Sequence, residues 1–227
     1  MQAYLGNHEA VEFILDACPW GMGGLLMIGR QPRAWFATPV TQHDIRIFGH
    51  RLGDAAGQQF WECFAAYIAL RIWQMHWIHR RVKLQITGDS VVMLTVMLTM
   101  KPTSSPSIGV LAREAALLIS ESSFAPAVEA SHISGLSNKA ADMLSRRFAP
   151  RDSKSWETPA LLASVPETQV EDRPRSWYRT LHENWDMGCQ RDLANLAPSP
   201  GLRAGAYQAG VRPRSYHASV YGRVLQV

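Results

Sequence analysis

From Gln58 to Ile78 the chain carries neither glycine nor proline. Within that stretch Glu62, Ala65, Ala66, Ala69, Leu70 and Trp73 recur at the spacing of one helical stripe. The small alanines let this face approach a sheet closely, and the positive run from His76 to Arg81 suits the negative end of a helix dipole. The flanking segments follow a different period. Upstream, Val11–Asp16, Leu25–Ile28 and Ala34–Phe36 are short apolar runs separated by Pro19, Gly21, Gly23, Gly24 and a Gly29–Pro32 turn. They read as strands in tight antiparallel connection. Downstream, Val82, Leu84 and Ile86 alternate with Lys83, Gln85 and Thr87, as in a half-buried strand.

The remaining elements follow in the same way. Thr87–Ser90 break the strand, Val91–Met100 and Ile108–Ser120 read as helices, and Val128–Ile133 as a short strand. Asn138 is placed to cap a last helix over Lys139–Phe148. The order β-β-β-α-β-α-α-β-α predicts an α/β fold, a mixed sheet flanked by helices. Composition shifts at Pro150. Residues 1–10 read as an N-terminal linker, 11–148 as the folded domain, and 149–227 as a largely irregular Pro- and Arg-rich tail. A short helix near Ser176–Glu183 is the one element expected there. From Leu193 onward the tail carries Arg203, Arg212, Arg214 and Arg223 and no acid.

Bulk properties narrow the class. With 227 residues, 47% of them apolar, the chain can bury a sizeable core, and its net charge of +4 suits a polyanionic partner. Cys18, Cys63 and Cys189 form no CxxC pair, which excludes a cysteine zinc site and a disulfide framework. The start of the sequence lacks a signal-peptide pattern, and no window has the uninterrupted apolar length of a membrane span. The expectation is an intracellular protein, cytoplasmic or nuclear, neither secreted nor membrane-bound.

Four acids stand where apolar residues belong. Asp16 ends the strand VEFIL, Glu62 opens the buried stripe, Asp89 follows the strand VKLQIT, and Asp142 lies between Ala140-Ala141 and Met143-Leu144. Burying lone carboxylates is costly and gathering them adds repulsion. Either each pairs with its own base or all share bound cations. His76 and His79 lack acidic or cysteine companions for zinc. Trp61, Trp73 and Trp77 could form a base-stacking platform, although Trp73 falls in the core stripe.

Four pieces in order, LDACPWGMGGLL, WECFAAYIAL, ITGDSVVML and HISGLSNKAADMLSR, make residues 11–148 resemble the ribonuclease H family, specifically the ribonuclease H domain of retroelement reverse transcriptases. The last is the sharpest, because His132 and Asp142 keep the family's interval. The resemblance implies a five-stranded mixed sheet with helices on both sides. It implies that Asp16, Glu62, Asp89 and Asp142 form the acidic tetrad and that His132 is the auxiliary histidine. Asn138 matches the asparagine of the closing motif. The stretch after the third acid lacks the long basic protrusion of some cellular members, and Cys18-Pro19-Trp20 fits retroelement ones.

The implied activity is hydrolysis of the RNA strand of RNA–DNA hybrids with two Mg²⁺, for which Mn²⁺ can substitute. Hard oxygen ligands suit either ion. Asp16 would bridge the ions, Asp142 would help hold the one activating water, and Glu62 and Asp89 the one at the leaving oxygen. His132 could pass protons near neutral pH. Arg71, Arg80, Arg81 and Lys83 are candidate phosphate contacts. The implied partners are an RNA–DNA hybrid and a reverse transcriptase polymerase domain. The rival reading is a catalytically silent domain of the same fold that binds nucleic acid or serves as a structural part of a polyprotein.

Overall fold

β1 (Glu9–Cys18), β2 (Gly21–Ile28) and β3 (Gln31–Pro39) pair as two antiparallel hairpins. The second turns on Gly29 and Arg30, both at positive φ (58° and 65°), the two-residue geometry that matches strand twist. The structure, a computed structural model, describes residues 9–101, 103–150 and 155–181. After the hairpins come α1 (Gln42–Phe48), α2 (Gln58–Ile72), β4 (Val82–Gly88), α3 (Val91–Thr99), α4 (Pro106–Ser120), β5 (Ala127–His132) and α5 (Lys139–Ser145). β4 pairs in parallel with both β1 and β5, giving the sheet order β3-β2-β1-β4-β5. This is a five-stranded mixed sheet flanked by helices, the architecture that the resemblance implies.

Three helices differ from the sequence reading, and one of them is α5, which ends at Ser145 and passes into a 3-10 turn at Arg146–Phe148. α1 was not anticipated, although its signals are local. The Thr41 side chain accepts a hydrogen bond from the Asp44 amide, the Asp44 carboxylate accepts one from the Thr41 amide, and Gly49 closes the helix at φ 74°. α2 is shorter than the Gly- and Pro-free run. It ends at Ile72 and gives way to a 3-10 turn at Gln74–His76. α2 is also buried on more than one stripe, since Phe60, Trp61, Cys63, Phe64, Tyr67 and Ile68 are as hidden as the alanines. A helix apolar all round needs cover on its outer side.

That cover comes partly from α4 and partly from the segment expected to be a tail. Residues 155–181 contain only single 3-10 turns, at Ala160–Leu162 and Arg175–Trp177, so their backbone is irregular as expected. They are nevertheless packed. Leu162 joins Leu25, Trp35, Ala37, Ala141 and Leu144 in a core on the α5 side. Glu167 then bridges Trp35 in parallel along the exposed edge of β3. Tyr178 and Leu181 finally enter the main core beneath α2. The Tyr178 ring meets Phe48 edge-on at 5.2 Å, and the Tyr67 hydroxyl donates to the Trp177 carbonyl. Arg173 is 3% exposed and pairs with Asp44 at 0%. The expected helix over Ser176–Glu183 is a 3-10 turn as far as Trp177, and its final residues, like Arg203, Arg212, Arg214 and Arg223, lie outside the described residues. Among the described residues no helix is long and apolar enough to cross a membrane.

Candidate active site at the end of the first strand

β1 carries its even-numbered and odd-numbered side chains to opposite faces. Phe13 and Leu15 enter the main core, while Ile14 packs toward α5. Asp16 follows on that same face, 9% exposed, in register with Gly23 of β2. Pairing of β1 with β4 stops at Ile14 and Thr87, and Asp89 comes one residue after β4 ends. His132 closes β5 opposite Gly88 and is exposed. Asp16, Asp89 and His132 therefore meet at one end of the sheet. α5 brings Asp142 to it because β2 is flat there. A Cβ on Gly23 would stand 2.4 Å from the Leu144 Cβ, and one on Gly21 2.8 Å from the Ser145 carbonyl.

The acids act on one another. Burial pushes the Asp16 carboxyl up to about 7, a hydrogen bond from Ser145 opposes the rise, and the charges of Asp89, Asp142 and Glu62 reinforce it. All three partners are thus within electrostatic reach of Asp16. They are not drawn into a ligand set: among the described residues no three His, Cys, Asp or Glu side chains close on a common point. Three of the four carboxylates have a donor of their own. Ser145 Oγ donates to Asp16 Oδ2 at 2.6 Å, Gln58 Nε2 to Glu62 Oε1 at 3.0 Å, and Arg146 Nε to Asp142 Oδ1 at 2.6 Å. An all-oxygen donor set around a buried carboxylate bonded to a neutral hydroxyl has the chemistry that hard divalent cations require. The residues present therefore fit Mg²⁺ or Mn²⁺.

Several uncharged side chains fasten the strand end. Asn138 Nδ2 donates to the Leu15 carbonyl at 2.9 Å and Gln58 Nε2 to the Ala17 carbonyl at 2.6 Å. The Cys18 thiol donates to the Ser145 carbonyl at 3.1 Å. Asn138 occupies the N-cap of α5, but its side chain makes no capping bond. It is buried at 2% exposure and directed to β1 instead, with Oδ1 left unpartnered. Sequence reasoning passed over Gln58 and Ser145. Their only signals are spacing, since Gln58 precedes Glu62 by one helical turn and Ser145 follows Asp142 by three residues.

The four basic candidates are elsewhere. Lys83 lies six residues before Asp89, about 20 Å along an extended strand, and pairs with Glu129 at 2.7 Å. Arg80 faces Glu9, Arg81 stacks over Phe124, and Arg71 over Tyr67 and Trp177. The structure does not bring them to the acids, because the strand that carries the acid at one end carries the basic cluster at the other. Trp61, Trp73 and Trp77 are fully buried, so none offers a stacking face. Met93 and Met97 are core residues, and His79 bonds Ser123.

No family model matches the chain, and no curated protein matches it. Solved structures do. A ribonuclease H1 from the halophilic archaeon Halobacterium salinarum NRC-1 aligns at 15% identity and TM-score 0.42, covering 61% of this chain and 94% of its own. A ribonuclease H1 isolated from compost by a metagenomic approach aligns at 17% identity and TM-score 0.40, covering 61% of this chain and 92% of its own.

Proposed function

We propose that the chain is a metal-dependent endonuclease that hydrolyses the RNA strand of RNA–DNA hybrids, and that it belongs to a retroelement reverse transcriptase. What supports the enzymatic reading is that Glu62, Asp89 and Asp142, far apart in sequence, are within electrostatic reach of a buried Asp16. The retroelement reading rests on the closing motif HISGLSNKAADMLSR. With it come a polymerase domain as partner and an intracellular setting.

Asp16, Glu62, Asp89 and Asp142 would hold two Mg²⁺ or Mn²⁺ ions, which when bound supply an activated water and offset charge on the leaving oxygen. Asp16 is the most deeply buried of the four. Arg146 holds Asp142 through Oδ1, and a carboxylate has a second oxygen with which to take a cation. The pair with Arg146 is exposed, at 59% and 38%, and such pairs contribute about 0–1 kcal/mol, so it holds Asp142 only weakly against a cation. His132, exposed at the end of β5, would assist water attack or product release as the auxiliary histidine.

The test is cleavage of a short RNA–DNA hybrid by the full chain in Mg²⁺, beside Asp16→Asn. The expected result is RNA-strand cleavage by the wild type and a loss of at least roughly a hundredfold in the variant, within the range that positioned catalytic groups contribute. Absence of cleavage by both, with the hybrid still bound, would leave the silent module as the correct reading.

A further inference from the structure

The end of β1 is fastened at four consecutive residues after β4 has left it. Asn138 takes the Leu15 carbonyl, Ser145 the Asp16 carboxylate, Gln58 the Ala17 carbonyl, and Cys18 reaches back to the Ser145 carbonyl. Part of this is ordinary satisfaction of backbone groups that a neighbouring strand no longer pairs. Two of the side chains do more. Gln58 Nε2 spans from Ala17 to Glu62, and Ser145 Oγ lies 2.6 Å from Asp16 Oδ2 and 2.9 Å from the Asp142 carbonyl. A hydroxyl has one proton to donate, and the shorter contact to a charged oxygen is the stronger bond.

The chemical type of these donors matters. An arginine or lysine would orient a carboxylate and cancel its charge. An amide and a hydroxyl orient it and leave the charge in place. Asp142, held by Arg146, shows the contrast within the same site. Asp16 and Glu62 are thus each fixed in direction by a neutral donor. We propose that Gln58 and Ser145 are positioning residues that hold Glu62 and Asp16 in the orientation a divalent cation requires. This rests on the reading that the four acids bind such a cation. Hydrogen-bond partners of metal ligands typically govern affinity by ten- to a hundredfold.

The experiment is thermal unfolding of the full chain across a Mg²⁺ titration, for wild type, Asp16→Asn, Ser145→Ala and Gln58→Met. Wild type gains stability with Mg²⁺, and Asp16→Asn loses that gain. Ser145→Ala and Gln58→Met keep the gain at saturation but need roughly tenfold or more Mg²⁺ to reach half of it. Their hybrid cleavage falls most at low Mg²⁺ and recovers at high. Unfolding temperatures without metal separate this from a folding defect. If Ser145→Ala does not fold, the half-exposed Gln58 decides the matter alone. Midpoints within twofold of wild type, while Asp16→Asn abolishes the gain, overturn the positioning role and leave the proposed function standing. An Asp16→Asn midpoint equal to wild type removes the cation site itself and overturns both.

Discussion

Burial lifts the Asp16 carboxyl from its ordinary value of 3.8 to about 7, with Asp89, Asp142 and Glu62 adding to the rise and Ser145 opposing it. The folded chain therefore holds this proton more tightly than the unfolded chain does. A group of that kind contributes most below pH 4, and its contribution declines as pH rises, up to the folded value. In the absence of metal, urea unfolding should show stability falling between about pH 4 and about pH 7 on account of this residue. Asp16→Asn should flatten the profile over that interval and raise stability near pH 7. An unchanged pH profile in the variant would mean that the carboxyl is not buried as described. The four acids were legible in the sequence because a carboxylate in an apolar setting is anomalous. Gln58 and Ser145 were not, because neutral polar residues in or beside a helix are commonplace. Their acceptors on β1 are 41 and 129 residues away.

At the level of elements, the seat of α5 on β2 decides whether Asp142 and Ser145 reach Asp16. The glycines of GMGG give a turn signal in the sequence, and the structure adds a second reason for them. The atoms nearest a Cβ at Gly23 include the Leu144 Cβ at 2.4 Å and the Ser145 amide nitrogen at 2.6 Å. Backbone cannot rotate away, so Gly23→Ala has to lift α5 from the sheet. Overpacking of this sort costs about 1–3 kcal/mol, and here it would also withdraw two site residues. The expected outcome is a lower unfolding midpoint in urea together with loss of Mg²⁺ stabilisation, where a remote core variant of equal cost would keep the latter. The strands and long helices were readable from period because each has a face of its own. α1 was hidden because its seven residues are too few to show a period, and only its Thr41 and Asp44 cap and Gly49 stop mark it. The outer side of α2 was present in the composition, but its cover was not, since that cover lies more than 100 residues further on at Trp177.

Considered as a whole molecule, the sheet is clasped on two faces and one edge by residues 155–181. On the α5 side, Trp156 Nε1 donates to the Met143 carbonyl at 2.8 Å and Leu162 fills the smaller core. At the edge, the Trp35 amide donates to the Pro166 carbonyl at 3.1 Å and the Thr168 amide to the Trp35 carbonyl at 2.7 Å, which occupies groups an edge strand otherwise leaves open. On the α2 side, Trp73 Nε1 donates to Thr168 Oγ1 at 3.0 Å, Arg173 Nε to Asp44 Oδ1 at 2.9 Å, and the Thr180 amide to Glu114 Oε1 at 2.5 Å. Composition alone placed a boundary near residue 149, because a segment held by scattered single contacts has no period to read. Removing it would take Leu162 and Leu181 out of the two cores and uncover the apolar side chains they pack against, at about 1.5–3 kcal/mol for each leucine lost. It would also leave Asp44, fully buried, without its arginine, a loss of about 3–5 kcal/mol. Together these approach the roughly 5–15 kcal/mol that hold a domain folded. A chain ending at residue 150 should therefore lack a cooperative thermal transition and bind a dye for exposed apolar surface, where the full chain should melt cooperatively. Arg173→Met, which keeps most of the side chain's bulk, should fall between them. If the chain ending at residue 150 melted cooperatively within a few degrees of the full chain, the clasp would be an addition to a domain already complete, and α2 would have to be stable with its outer aromatic residues in water.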